Sequence, residues 1–165
     1  MPTVQLATGY VSGFCCPASI RRRTRPWRPC GNTFEEVEVA RELGFSSVWT
    51  SQHFLSHPFV YFQSVPLLAR VAAAAEGMTV GTAVLLLALL NPVEVAENAA
   101  TLDAIAGGRF VLGVGIGYRR VENAAFGVAH GRADLFERKL DVVRRLLSGE
   151  SVTAEGRDSS SQTRG

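Results

Sequence analysis

Two short segments of the sequence carry residue types that can do chemistry. In "SQHFLSHP", His53 follows a short apolar run, and an imidazole gains or loses a proton near neutral pH. In "GGRFVLGVGIGYRR", residues 107–120, Gly113, Gly115 and Gly117 occupy every second position after another apolar run. His53 is therefore a candidate acid or base, and the glycines mark a backbone that a ligand could approach.

The glycine spacing argues against a nucleotide phosphate loop. Such a loop needs G-x-G-x-x-G between a strand and a helix, whereas this segment reads G-x-G-x-G and "YRRVENAAFG" follows without a clear helix start. Two explanations stay open. Glycines with a period of two leave one face of a strand bare, so that a flat ligand can lie against the backbone. Alternatively, the interior of a barrel needs small residues opposite large ones.

Metal-dependent and hydrolytic sites are disfavoured. The spacing of His53 and His57 would suit two metal ligands on a helix, but Pro58 and the loop setting remove that geometry, and we expect no carboxylate nearby. The sequence has no G-x-S-x-G nucleophile elbow. Its three cysteines, of which Cys15 and Cys16 are adjacent, lack C-x-x-C spacing, so neither a zinc site nor a disulfide framework is supported.

Composition predicts one domain that binds neither nucleic acid nor membrane. The chain has 165 residues, of which 47% are apolar, and its net charge is only +2. The longest apolar run, from Ala83 to Leu90, is far shorter than the ~20 residues that span a bilayer. The N-terminus has no basic flank before an apolar core, so we expect a cytoplasmic protein.

Two segments are predicted to be irregular. The stretch at 12–31 is rich in arginine, cysteine and proline and has no hydrophobic periodicity, which is typical of an inserted, solvated loop. The polar tail at 156–165 is predicted to be disordered.

Strands and helices alternate along the rest of the chain. Predicted strands lie at 3–10, 46–50, 78–90 and 109–115, and predicted helices at 33–43, 62–76 and 91–105. A fourth helix ends at Gly149, with an apolar face made of Leu135, Phe136, Leu140, Val143 and Leu147. Because the strands read as buried on both faces, the order β-α-β-α-β-α-β-α predicts an α/β protein with a parallel sheet.

In such a fold the chemistry lies at the carboxyl ends of the strands. These strand ends bring three groups of candidate residues together. They are Gln52 and His53 after the second strand; Thr82, Ala83 and Val84 within the third strand; and Gly115, Ile116 and Gly117 at the end of the fourth strand.

At these residues the chain resembles the bacterial luciferase-like monooxygenase family of (β/α)8 barrels. The resemblance rests on "ARELGFSSVWTSQHF", on "MTVGTAVLLLALLNPVEVAENAATLDAIAGGRFVLGVGIGYR", and on "AFGV" followed by "RADLFERKLDVVRRLLSGE". It covers residues 33–155, and the motifs occur in the family's order and spacing. The resemblance implies a flavin-dependent oxidoreductase or monooxygenase that uses FMN or the deazaflavin coenzyme F420, with NAD(P)H as an indirect reductant and a small organic molecule as substrate.

The resemblance also implies roles for the candidate residues. His53 would be the catalytic residue, and Gln52 would lie with it beside the flavin ring. The third strand would carry a bulge with a cis peptide bond that involves no proline, under the ring near Thr82, Ala83 and Val84. The end of the fourth strand would contact the flavin through Gly115, Ile116 and Gly117.

The chain departs from the family in its number of repeats. A complete barrel has eight β-α units in ~250 residues, whereas this sequence supplies about four over residues 1–155, which predicts a half barrel. Three hypotheses follow: a truncated oxidoreductase with little activity alone, a homodimer of half barrels that binds flavin without turnover, or a fragment without function. An open half barrel would expose a strand edge and apolar surface, which favours association.

Overall fold

The computed structural model describes residues 33–57, 61–128 and 132–153. The predicted first strand at 3–10, the irregular stretch at 12–31 and the tail at 156–165 lie outside the described residues.

The described chain alternates between helices and short strands. The helices are α1 (Thr33–Glu42), α2 (Ser64–Ala74), α3 (Pro92–Ile105), α4 (Arg120–Ala125) and α5 (Arg132–Leu147), with one 3-10 turn at Leu87–Leu89. The strands are β1 (Ser47–Thr50), β2 (Thr79–Thr82), β3 (Leu85–Leu86), β4 (Phe110–Val111) and β5 (Val114–Gly115). The four predicted helices and the strand at 46–50 are therefore confirmed to within a few residues.

All described strand pairs are parallel, as predicted. One sheet has the order β1-β2-β4, with Trp49 opposite Gly81 and Gly81 opposite Val111. The other pairs β3 with β5. The indole of Trp49 lies directly over Gly81, where a Cβ atom would overlap it. Its Nε1 donates a hydrogen bond to Ser47 Oγ at 2.9 Å. Trp49 therefore covers β2 on one face of the sheet.

The predicted continuous strand at 78–90 is wrong, because the chain changes sheets at Ala83. The Ala83 amide donates to the Thr50 carbonyl at 2.7 Å, whereas the Leu85 amide donates to the Gly113 carbonyl at 2.8 Å. The peptide bond between Ala83 and Val84 is cis, in the segment where the family resemblance implies one. The apolar run continues through Leu87–Leu89 because this 3-10 turn is buried on all sides, although it is not a strand.

The predicted fourth strand is also interrupted. β4 ends at Val111 and β5 begins at Val114. Across the gap, Thr82 Oγ1 donates to the Gly113 carbonyl at 2.7 Å and accepts from the Gly113 amide at 2.9 Å. One hydroxyl thus replaces the backbone hydrogen bonds that a continuous ladder would supply.

The apolar core lies between the first sheet and helices α1 to α3. It includes Val37, Val48, Leu68, Val71, Val80 and Leu102. A second cluster joins β3 and the 3-10 turn to α3 and α5 through Leu85, Leu87, Val95 and Val143. No helix among residues 33–57, 61–128 and 132–153 has the length and apolarity that crossing a membrane requires.

Of the apolar face predicted for α5, the structure confirms Phe136, Leu140 and Val143. Phe136 and Leu140 pack against the second cluster around Val143, but Leu147 is 48% exposed and Leu146 takes the expected place. Positions three and four residues after Val143 flank the same helical face, and the position of the neighbouring helix decides which one is buried. Lys139 Nζ donates to the Ala88 carbonyl at 2.8 Å, and partial burial lowers the pKa of this lysine.

Candidate functional site

The candidate site lies at the carboxyl edge of the parallel strands. Parallel strands end on the same side, so the loop after β1, the junction between β2 and β3, and the segment after β5 meet there. A hydrogen bond from the Gln52 amide to the Val84 carbonyl, at 3.3 Å, joins the first two of these segments. The predicted site residues are therefore brought to one edge of the molecule.

His53 stands at this edge and is held by a carboxylate. Its Nδ1 lies 3.0 Å from Glu122 Oε1, and 19% of its side chain is exposed. Its ring meets Tyr61 and Tyr118 edge to face, with centroids 4.9 Å and 6.0 Å away. The imidazole is thus held by one carboxylate and two aromatic rings, and part of it stays exposed.

Glu122, in the first turn of α4, is the most buried ionisable group of the site. Its side chain is 1% exposed, and its Oε1 accepts from the Phe54 amide at 2.8 Å and from Arg119 Nη1 at 3.0 Å, in addition to its contact with His53. Its Oε2 has no hydrogen-bond partner in the described part of the chain. A buried carboxylate is tolerated only where cations and donors compensate it, and here they converge on one oxygen.

Arg119 fastens α4 to the loop that carries His53. Its Nη1 donates to the Phe54 carbonyl and to Ser56 Oγ, both at 2.8 Å, and its Nη2 donates to the Leu55 carbonyl at 3.1 Å. Leu55 has a φ of +49°, a left-handed conformation that is uncommon for residues other than glycine. The guanidinium therefore stabilises an unusual turn directly after His53.

Glu122 was missed at the sequence level, and the expectation that no carboxylate lies near His53 is wrong. The two residues are 69 positions apart, so no local spacing links them. The segment "YRRVENAAFG", which has no clear helix start in the sequence, forms α4. An acidic residue in the first turn after a strand end would have been the usable signal, because that turn faces the other strand ends.

Gln52 is buried and its side chain is committed to the protein. Its Oε1 accepts from the Leu86 amide at 3.0 Å, and its Nε2 donates to Gln63 Oε1 at 3.2 Å. Gln52 therefore holds β3 beside the loop after β1. Its contact with a flavin stays a prediction.

The three residues at the β2–β3 junction differ in what they offer a ligand. The Thr82 hydroxyl is occupied by Gly113, and Ala83 is half-buried. Val84 is 41% exposed, and Ile116, which follows β5, is 37% exposed. Val84 and Ile116 therefore present the apolar side chains of this edge.

Two of the three alternating glycines, Gly113 and Gly115, are explained by packing between neighbouring strands, whereas Gly117 has a φ of +79° that favours glycine. A Cβ atom at Gly113 would overlap the Thr82 carbonyl oxygen, and one at Gly115 would lie 2.7 Å from Val84 Cγ2. Of the two explanations left open by the sequence, the need for small residues opposite larger groups thus accounts for both positions. Contact of Gly115, Ile116 and Gly117 with a flavin stays a prediction.

An open cleft of about 380 Å³ adjoins His53. It is lined by His53, Phe54, Leu55, Ser56, Tyr61, Gln63, Ala125 and Phe126. Within the described ranges, no three histidine, cysteine, aspartate or glutamate side chains are grouped as metal ligands. The cleft thus combines aromatic and apolar side chains with the imidazole of His53 and the polar groups of Ser56, Tyr61 and Gln63.

Comparisons of this chain with a family model and with curated proteins agree with each other. The model of the family described as luciferase-like monooxygenase matches residues 11–163. The chain is 36% identical over 126 residues to the F420-dependent glucose-6-phosphate dehydrogenase of Kineococcus radiotolerans, covering 71% of this chain and 37% of that protein. It is 30% identical over 135 residues to the 4-hydroxyprotoasukamycin monooxygenase of Streptomyces nodosus subsp. asukaensis, covering 76% of this chain and 36% of that protein.

A solved structure shows the same fold. An F420-dependent secondary alcohol dehydrogenase, in complex with an F420-acetone adduct, matches with a TM-score of 0.68 and 27% identity, over 79% of this chain and 42% of that one. The predicted α/β fold of the luciferase-like (β/α)8 type is thereby confirmed. No closed barrel is present among the described residues, and the chain spans less than half the length of these relatives.

Proposed function

This chain belongs to the luciferase-like monooxygenase family, and from that premise we propose that it acts in a flavin-dependent oxidoreductase reaction with His53 as the acid or base. The observation that carries the proposal is the His53 imidazole, bonded to buried Glu122 on one side and bordering the cleft on the other. An acid or base needs this combination of a fixed ring and an accessible nitrogen.

The residues at the edge fit a flat ring with a polar margin. Val84 and Ile116 offer exposed apolar side chains at the same carboxyl edge as His53. They would support the ring, with Ala83 beneath it, while Gln52, Thr82, Gly115 and Gly117 shape the backbone around them. When bound, FMN would supply oxidation with O2 and F420 would supply hydride transfer.

The chain's own contribution is to hold the substrate, exclude water and handle one proton. Phe54, Tyr61 and Phe126 line the cleft and would exclude water from a small organic substrate. Oxidation of an alcohol releases the proton of its hydroxyl, and His53 Nε2 would accept it. For the FMN case we propose that NAD(P)H acts only indirectly, through a separate reductant.

Binding can be tested by titrating the purified chain with FMN and, separately, with F420, while the fluorescence of each coenzyme is followed. We expect one of the two to bind, and the substitution Val84→Asp to weaken that binding at least tenfold, because a carboxylate would face the ring. Val93→Asp, at a half-exposed site on α3, is the matched control and should leave binding unchanged. Failure of both coenzymes to bind would contradict the proposal.

Turnover can then be tested with the substrates named for the relatives: glucose 6-phosphate and a secondary alcohol with F420, and 4-hydroxyprotoasukamycin with reduced FMN and O2. His53→Gln should leave coenzyme binding within a few fold and abolish turnover. Turnover that survives in this variant would remove His53 from the catalytic role.

A second candidate function is flavin binding without turnover by two paired copies of the chain. The observation that favours it is that the chain spans 37% and 36% of two relatives' lengths. Coenzyme binding without turnover, together with a dimer in light scattering, would support this candidate over the first.

A further inference from the structure

We propose that residues 20–28 of this chain, the basic segment, dock against the outward face of α1. The basic segment reads "IRRRTRPWR" and contains five arginines, one tryptophan and no acidic residue. It lies outside the described residues, and Arg28 precedes Thr33, the first residue of α1, by five positions. The outward face of α1 is made of Glu35, Glu38, Val39, Glu42 and the following residue, Leu43. This contact is independent of the proposed function.

The outward face of α1 carries a row of carboxylates. Val37 and Ala40 are buried, so the opposite side of the helix faces away from the core. Glu35, Glu38 and Glu42 are exposed, and their separations of three and four positions place them next to one another along the helix. Like charges at these separations destabilise a helix, and a cation beside them removes that cost.

The described residues supply no ion pair for this row. None of the ion pairs within 33–57, 61–128 and 132–153 involves a carboxylate of α1. The helix itself has four glutamates and one basic residue, Arg41, so its net charge is negative. Arg70 of α2 packs against α1, but its guanidinium lies over the Phe34 ring, 4.4 Å from the ring centroid. The row therefore favours a basic partner from outside the described residues.

Exposed apolar side chains lie beside the carboxylates. Val39 is 51% exposed and Leu43 is 72% exposed. The Leu43 amide donates to the Val39 carbonyl at 2.9 Å, which continues the helical pattern, so the two side chains are neighbours on one face. A partner that combines arginines with a large apolar group thus fits the outward face better than a purely charged one.

The basic segment has both properties and is tethered within reach. Its arginines match the carboxylates, and Trp27 matches Val39 and Leu43. Five extended residues span up to ~18 Å, whereas the ten residues of α1 are ~15 Å long, so the segment can lie along the whole helix. The short tether also gives the segment a much higher local concentration at α1 than a second copy of the chain has.

Tryptic digestion of the full 165-residue chain tests the contact, because an arginine that is paired with a carboxylate is less available to the protease. Trypsin cleaves after Arg21, Arg22 and Arg23, whereas Arg25 and Arg28 precede proline and resist it. Mass spectrometry measures the appearance of the N-terminal fragments, and cleavage after Arg157 in the same digest normalises the activity of the protease.

The decisive variant is Glu38→Gln/Glu42→Gln, which removes two charges and keeps the side-chain size. Each exposed ion pair contributes little, so the loss of two should raise cleavage after residues 21–23 about threefold at low salt. At about 1 M salt, where charges are screened within about 3 Å, the variant and the unsubstituted chain should be cleaved at the same rate. Glu97→Gln/Glu137→Gln, at exposed acids on α3 and α5, is the matched control and should change nothing.

Three results would overturn the proposal. They are an unchanged cleavage rate in Glu38→Gln/Glu42→Gln, an equal rise in the control variant, and a difference that persists at high salt. The digestion is also repeated at a hundredfold lower protein concentration. The proposal requires the same protection of the basic segment at both concentrations, and protection that disappears on dilution would place the arginines on a second copy of the chain instead.

Discussion

The helix-facing core and the carboxyl edge of the sheet are stabilised in different ways. In the core, Val48 and Val80 on neighbouring strands form one cluster with Leu68 and Val71 on α2, and these side chains carry no polar atom. At the edge, the buried Oε1 of Glu122 accepts hydrogen bonds from the loop after β1 and from nearby Arg119, and its Oε2 has no partner in the described part of the chain. The core therefore depends on volume and apolar area, whereas the edge depends on the direction of individual hydrogen bonds.

This difference predicts that the two regions respond to different substitutions. In the core, the free energy of unfolding should depend on the size of each side chain. Small changes of polarity at the margin of the core should affect it little. The edge should be sensitive to the loss of a single donor even where the volume is kept.

The largest effect on stability is expected in the core. Leu68→Ala should lower the free energy of unfolding by about 2–5 kcal/mol, because Leu68 is fully buried and its removal leaves a cavity. Urea denaturation measures the change. Leu147→Ala on the exposed side of α5 is the control, with an expected change below about 0.5 kcal/mol. Equal losses in the two variants would mean that the core does not have the packing described.

The next largest loss of stability is expected at the edge, where one substitution removes a single charge. Arg119→Met keeps much of the side-chain length but removes the cation that compensates Glu122, and should cost about 2 kcal/mol. Arg120→Met, at the exposed neighbouring position, should cost little. Hydrogen exchange of the Phe54 amide should accelerate only in the first variant, and equal exchange in both would contradict the described role of Arg119.

A smaller effect is expected where one hydroxyl bridges an interrupted strand. Thr82→Val keeps the shape but leaves the Gly113 amide without its partner and the Gly113 carbonyl with the Leu85 amide alone, which should cost about 1.5 kcal/mol. Thr82→Ser keeps the hydroxyl and should therefore lose less stability than Thr82→Val. Thermal unfolding of the two variants side by side tests this, and a serine variant as unstable as the valine variant would argue for packing instead.

The smallest effect is a steric one at the same edge. Gly115→Ala places a Cβ atom 2.7 Å from Val84 Cγ2 and should cost about 1 kcal/mol. Because Val84 is 41% exposed, Val84→Ala alone should change stability little, and in the double variant it should relieve the clash. A double-mutant cycle measures the coupling, and strict additivity would contradict the contact.

The predictable part of the fold is the part with local signals. Asn91 and Pro92 predict the start of α3, and the structure places the helix at Pro92–Ile105 with Asn91 Oδ1 accepting from the Val93 amide at 2.9 Å. The hydrophobic pattern did not predict the break after Thr82, because a continuous apolar run is equally compatible with a strand and with a buried 3-10 turn, although the family resemblance implied a bulge there.

The candidate site was predictable in position but not in composition. His53 was identified because it follows a strand that the sequence marks clearly, and strand ends converge in this class of fold. Glu122 was not identified, since its link to His53 spans 69 positions and depends on how two loops meet. The alternating glycines could be counted in the sequence, but what faces them depends on the neighbouring strand.

The position of Trp49 over Gly81 gives the protein its own optical reporter. The sequence contains two tryptophans, and substitution of Trp27 by phenylalanine would leave Trp49 as the sole indole emitter. Its ring covers the neighbouring strand, so its emission would change when β1 and β2 separate. Docking of these two parallel strands could thereby be timed in a stopped-flow refolding experiment without attaching a dye.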